Sequence, residues 1–226
     1  MKRLPLIVLS VLVLLGVVAA GALWRPDNNS NPQNETQVQD TTPSSGTPSD
    51  ESVPATFGGP FSLIDQNGMR RTDMDFRGKY MLIFFGYTYC PDVCPTTLAV
   101  EAEALDKLGA QGDRIVPIFI SVDPQRDTPA KLKTYLSSFD AKPPSNRSNF
   151  VGLTGSAEEI ALAAKAYRVF YQAHIDGRAP NGADYSIDHT GEVYLMGPKG
   201  EFVAYYSQGI LSDELAEDLK AKTTGG

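Results

Sequence analysis

Few residues in this 226-residue chain can do soft-metal or redox chemistry: two cysteines, Cys90 and Cys94, and two histidines, His174 and His189. The cysteines stand at i and i+4 in Tyr87-Thr-Tyr-Cys90-Pro-Asp-Val-Cys94-Pro95. If this segment already turns helically, both sulfurs face the same way, and the positive end of the following helix favours their thiolates. Two close thiolates suit Cu(I), with zinc next. The same sulfurs can oxidise to a disulfide, but a purely structural bridge would stabilise little, because so short a loop constrains little unfolded-chain entropy. A C-x-x-C spacing would read as a thioredoxin-type redox motif. Here the extra residue opens the bite and two prolines stiffen it. Cu(II) prefers an added nitrogen donor. His189, in Tyr185-Ser-Ile-Asp188-His189-Thr190, and His174, in the loop Ala173-His-Ile-Asp-Gly, are the two candidates on spacing.

The elements that must position these groups are legible from periodicity. Tyr80 to Phe85 is a continuous apolar run ending at Gly86, the pattern of a strand buried on both faces. It delivers the chain to the cysteine loop. The next helix carries Leu98, Ala102, Leu105 and Leu108 on one face, accepts Pro95 in its first turn and stops at Gly109. Ile115 to Val122 reads as a second buried strand, and Asp127-Thr-Pro129 as the acidic cap and early proline of a helix reaching about Phe139. A short strand at Phe150 to Leu153 precedes the capping box Ser156-Ala-Glu-Glu159 of a helix extending through Phe170. Two hairpins are predicted, one around Asp65-Gln-Asn67-Gly68 and one joining Val193–Met196 to Glu201–Tyr206 across Gly197-Pro-Lys-Gly200. A helix over Leu211 to Lys220 closes an α/β unit with a mixed sheet covered on both faces.

The formal charge of -7 excludes sequence-independent nucleic-acid binding, which needs a basic face. That charge divides as +3 over residues 1–25, -5 over 26–56 and -5 over 57–226. Leu4 to Trp24 is uncharged and, as a helix about 30 Å long, spans a hydrocarbon core. Lys2 and Arg3 outweigh Arg25, so the N-terminus is expected in the cytoplasm and the rest outside it. A cleaved signal peptide is the rival, with Ala20-Gly21-Ala22 as its site. Residues 26–56 hold five acidic residues, no basic ones and almost nothing to bury, the composition of a flexible tether. The expected organisation is therefore a cytoplasmic N-terminus and signal-anchor over 1–25, a linker over 26–56 and a folded domain over 57–226.

Three blocks together resemble the Sco/SenC family: the cysteine segment from Tyr87 to Pro95, Ser121-Val-Asp123-Pro-Gln-Arg-Asp127-Thr-Pro129, and Asp188-His189-Thr190 before Tyr194-Leu-Met-Gly-Pro198. The resemblance runs from about Phe57 to about Lys220 in the family's order. It implies a membrane-anchored, thioredoxin-like fold and a metallochaperone, not an enzyme, that helps assemble the binuclear copper centre of cytochrome c oxidase. Carried over by position, Cys90 and Cys94 become sulfur ligands and His189 the nitrogen ligand of Cu(I) or Cu(II). Asp92 is expected to tune the thiolates and Asp188 to hold His189 from outside the ligand set. Asp123 and Pro124 are expected to shape the strand end. Relative to thioredoxins, Asp-His-Thr occupies the place of their cis-proline. The implied partners are the copper-site subunit of the oxidase, another copper chaperone and a thioredoxin-like reductant. The alternative is a thiol-disulfide oxidoreductase that reduces that subunit's cysteines, and a thiol peroxidase is a third class. A bacterial inner membrane with the domain in the periplasm is expected, since no Arg- and Ser-rich transit peptide precedes the anchor.

Overall fold

In the computed structural model the described residues are 57–143, 145, 147–175 and 185–224. The expectations for residues 1–56, anchor and tether included, lie outside them. Among the described residues no helix is long and apolar enough to cross a membrane.

The predicted first hairpin forms β1 (Ser62–Asp65) and β2 (Arg70–Thr72). Asp65 closes its turn by accepting the N–H groups of Asn67 and Met69 at 2.8 and 2.9 Å, and Gly68 takes the left-handed conformation that the turn requires, φ 82°. The two apolar runs become β3 (Tyr80–Gly86) and β4 (Ile115–Ser121), every residue of both buried. They pair in parallel along their whole length, Tyr80 opposite Ile115 and Gly86 opposite Ser121. Because a parallel pair needs a crossover, α1 (Val93–Lys107) runs between them, and the cysteine loop is the first leg of that crossover.

The remaining elements are α2 (Pro129–Leu136), β5 (Val151–Thr154), α3 (Ala157–Ala166), β6 (Tyr171–His174), β7 (Ser186–His189), β8 (Val193–Met196), β9 (Phe202–Tyr206) and α4 (Ser212–Thr223). The main sheet is mixed, ordered β2-β1-β5-β4-β3-β8-β9, and helices flank it. Strands β6 and β7 form a separate antiparallel pair.

Three local expectations are corrected. The cap of α2 is Thr128, whose hydroxyl accepts the N–H of Lys131, because Asp127 turns inward instead. A 3-10 turn, Ser137–Phe139, then completes the segment to Phe139. The capping box of α3 forms as expected, but the helix stops at Ala166 and not at Phe170. Val169 donates back to the carbonyl of Ala164 and Arg168 turns left-handed, φ 54°, which sends the β-forming Val-Phe-Tyr run out as a strand. His174 therefore sits on β6 and His189 on β7, both placed outside strands by periodicity because these strands are four residues long.

One buried group opposes the fold. Glu101 on α1 is fully buried, and among the described residues neither carboxyl oxygen has a hydrogen-bonding partner. Burial pushes its carboxyl well above the ordinary value of 4.5. The folded state thus keeps a proton that the unfolded chain releases above pH 4.5, so Glu101 lowers stability progressively as pH rises. Glu101→Met is expected to raise unfolding stability by about 1–3 kcal/mol at pH 8, with the gain shrinking toward pH 5. Urea denaturation at both pH values checks it; a gain that is equal or larger at pH 5 contradicts the assignment.

Candidate metal centre

The site forms where β3 ends. Gly86 leaves room for it: a Cβ there would lie 2.7 Å from Cys94 Sγ and 2.8 Å from the Phe119 ring. Val122 N–H holds the Gly86 carbonyl at 2.8 Å, and Cys90 N–H returns to the Tyr87 carbonyl at 3.2 Å, so the loop leaves the sheet in a tight turn. Cys90 precedes α1 and Cys94 lies in its first turn. The two sulfurs face one another because the Cys94 amide, one of the free N–H groups of the helix start, donates to Cys90 Sγ at 3.4 Å.

Both thiols are free; Cys94 is buried and Cys90 is half-buried. The environment splits them. A hydrogen bond from Cys94, supplemented by the His189 ring and by the backbone N–H groups of Cys94 and Asp92 and opposed by burial, pulls the Cys90 thiol down to about 4. Burial pushes the Cys94 thiol up, and the neighbouring Cys90 sulfur reinforces this. At neutral pH the pair is one thiolate and one thiol.

His189, the last residue of β7, completes the group. Its Nε2 lies 3.4 Å from Cys94 Sγ, and its Nδ1 is 2.9 Å from the Thr190 carbonyl. A carbonyl only accepts, so Nδ1 donates to it, and Nε2 is the ring nitrogen turned toward the sulfurs. The ring stands against Phe84 and edge-on to Tyr87, with centroids 6.0 and 5.8 Å away. One atom each from Cys90, Cys94 and His189 lie within 4.8 Å of one another, and among the described residues no other His, Cys, Asp or Glu cluster offers a metal site. Two sulfurs and one imidazole make a donor set for Cu(I), Cu(II) or zinc. A cleft lined by Phe57, Phe170, Thr190, Tyr194 and Tyr205 reaches His189 from solvent.

Surrounding side chains hold the two loops together. The buried carboxylate of Asp127 accepts the N–H of Thr88 at 2.9 Å, its hydroxyl at 2.6 Å and the Ser121 hydroxyl at 2.6 Å. This ties the cysteine loop to the end of β4. Asp123 accepts the Tyr185 hydroxyl at 2.6 Å and pairs with Arg126, whose guanidinium lies over the Tyr185 ring at 3.6 Å. Asp127, Thr88 and Tyr87 are positioning residues that pattern alone missed. Asp127 reads as a helix cap and Tyr87 as loop, although both sit inside the matched blocks.

The two supporting acids behave differently from expectation. The Asp92 carboxylate is exposed and faces the Thr96 hydroxyl at 3.4 Å; its contribution to Cys90 comes from its backbone N–H. Asp188 does not hold His189. Successive side chains of a strand point to opposite faces, and the Asp188 carboxylate meets His174 Nε2 at 3.0 Å while the Thr190 carbonyl takes its expected place. His174 is thereby engaged away from the sulfurs.

The SCO1/SenC family model matches residues 49–224. The human protein "SCO1 homolog, mitochondrial" is 41% identical over 165 residues, which is 72% of this chain and 52% of that protein, so the chain spans about half the length of this curated relative. A structure of Bradyrhizobium japonicum ScoI with copper bound shares 46% identity, covers 74% of this chain and 99% of its own, and superposes with a TM-score of 0.64. BsSco, described as a member of the Sco family of cytochrome c oxidase assembly proteins with a disulfide switch, aligns at 26% identity over 76% of this chain and 96% of its own, with a TM-score of 0.56.

Proposed function

Because the chain belongs to the SCO1/SenC family, we propose that it is a copper chaperone that binds copper through Cys90, Cys94 and His189 and delivers it to the binuclear copper site of cytochrome c oxidase during assembly. The convergence of the three donor atoms within 4.8 Å, with His189 Nε2 turned toward the sulfurs, carries this reading. Copper in the solved ScoI relative supports the choice of metal. The half-exposed Cys90 supports transfer by ligand exchange, since an incoming thiolate reaches the metal on that side. The uncharged stretch Leu4 to Trp24 and the acidic tether support attachment to a bacterial inner membrane with the domain in the periplasm.

A second reading, thiol-disulfide exchange on the partner's cysteines, is favoured by the low Cys90 thiol beside a buried partner thiol. Transfer separates the two. Copper-loaded protein mixed with the metal-free, fully reduced copper-site subunit is expected to lose its metal to the subunit, read as the growth of the binuclear spectrum. No transfer to a subunit that accepts free copper would overturn delivery. Under the second reading, reduction of an oxidised subunit by the metal-free protein proceeds as fast with His189→Ala as with the wild type.

A further inference from the structure

His189 rides on a strand that is not part of the main sheet: β7 pairs only with β6 among the described residues. Something must hold that strand in register with the cysteine loop. The β6 side is joined internally, by Thr190 N–H to the Phe170 carbonyl and Phe170 N–H to the Thr190 hydroxyl, both 2.9 Å. From the thiolate side the link is Tyr87, whose hydroxyl accepts the N–H of Ile187 at 3.3 Å. Both partners are buried, Tyr87 at 3% exposure and Ile187 at 6%, so the N–H finds no ready substitute in water if the hydroxyl is lost.

Tyr87 also touches the rest of the donor set. Its carbonyl receives the Cys90 N–H, and its ring stands edge-on to His189 at 89°. Arg126, itself fixed by Asp123 and the Tyr185 carbonyl, lies 5.8 Å from the Tyr87 ring centre. One side chain thus bridges the cysteine loop and the histidine strand.

We propose that the Tyr87 hydroxyl is the positioning group that latches β7 to the cysteine loop and so sets how strongly His189 joins the metal, which makes it a determinant of Cu(II) over Cu(I) retention. The inference rests on the copper reading above. The two sulfurs alone satisfy Cu(I), whereas Cu(II) draws on the nitrogen, so loosening the strand weakens one oxidation state selectively.

The test is Tyr87→Phe in the full-length protein, which keeps the ring and removes the acceptor. Cu(II) affinity, measured by chelator competition, is expected to fall roughly tenfold or more, the scale for losing an outer-shell partner of a metal-ligating histidine. The thiolate-to-Cu(II) absorption should shift toward that of His189→Ala, while Cu(I) affinity changes by less than about threefold. In a His189→Ala background the same substitution should add nothing, since it acts through the histidine. An unaltered spectrum and Cu(II) affinity in Tyr87→Phe, where His189→Ala alters both, overturns this proposal alone; equal losses for both oxidation states, or an undiminished effect in the His189→Ala background, do the same. A wild-type Cu(II) spectrum indifferent to His189→Ala overturns the copper reading and the proposal with it. Should Tyr87→Phe fail to fold, amide exchange in the metal-free wild type decides: Ile187 is expected to be protected like the core strands, and free exchange there removes the latch.

Discussion

Cys94→Ser is expected to abolish tight copper binding, with a loss of at least about a thousandfold in Cu(I) affinity, or about 4 kcal/mol, and Cys90→Ser is expected to do the same. A serine hydroxyl is a hard, protonated donor, and one sulfur with one imidazole no longer encloses a soft ion. The two thiols nevertheless make different demands. Cys90 is already a thiolate at neutral pH, its thiol held at about 4, while Cys94 keeps its proton because burial raises it. Metal binding must then expel one thiol proton, from Cys94, and not two. The sign follows: affinity rises with pH, and the logarithm of the Cu(I) binding constant is expected to climb by about one per pH unit from the thiols between pH 6 and 8, steepening toward two only below about pH 4. Chelator competition across that range measures the slope. A slope of two at pH 7 would show both thiols protonated and contradict the split.

The second large effect belongs to Asp127. Asp127→Ala strands three donors at once, the Thr88 amide, the Thr88 hydroxyl and the Ser121 hydroxyl, of which the last lies on a fully buried residue. At about 1–3 kcal/mol for each buried group left unpaired, with partial relief from relaxation, a loss on the order of 4 kcal/mol is expected. Because Thr88 is two residues before Cys90, the loop loses its anchor to β4 as well, and copper affinity should fall alongside stability. Asp127→Asn keeps one carbonyl oxygen as acceptor and should fall between. Chemical denaturation of the three proteins checks the order. A loss below 1 kcal/mol for Asp127→Ala would mean that the network is replaceable by water.

The elements that read true were those in which local chemistry and burial agree. Tyr80 to Gly86 and Ile115 to Ser121 have no polar alternation to accommodate, so a fully buried parallel pair is the arrangement that hides them. Ser156 and Glu159 cap α3 with their own atoms, as the spacing demands. The misreadings arise where contacts or backbone geometry invisible to a local pattern decide the outcome. Asp127 looks like a cap, yet Thr88 and Ser121 offer three donors and Thr128 does the capping. Phe170 fits the periodicity of α3, yet the chain turns at Arg168 and pairs across to β7. Asp188 adjoins His189 in sequence, and strand geometry alone sends it to the other face, toward His174. Cys90 and Cys94 stand out as candidate donors because the chain has so few soft groups, while His189 is separated from His174 by the resemblance of its block. The registration of the three was not legible, since the Tyr87 hydroxyl and the Thr190 carbonyl act through contacts spanning 100 residues or through the backbone.

The burial of Cys94 fixes an itinerary. That sulfur is wholly enclosed, whereas Cys90 and His189 are both partly open to solvent. Under the proposed delivery, an acceptor thiolate would displace one of these two outer ligands while Cys94 still grips from below. Departure would then be sequential, with the cargo shared between donor and acceptor during the exchange. Such an exchange would require direct contact between the two proteins.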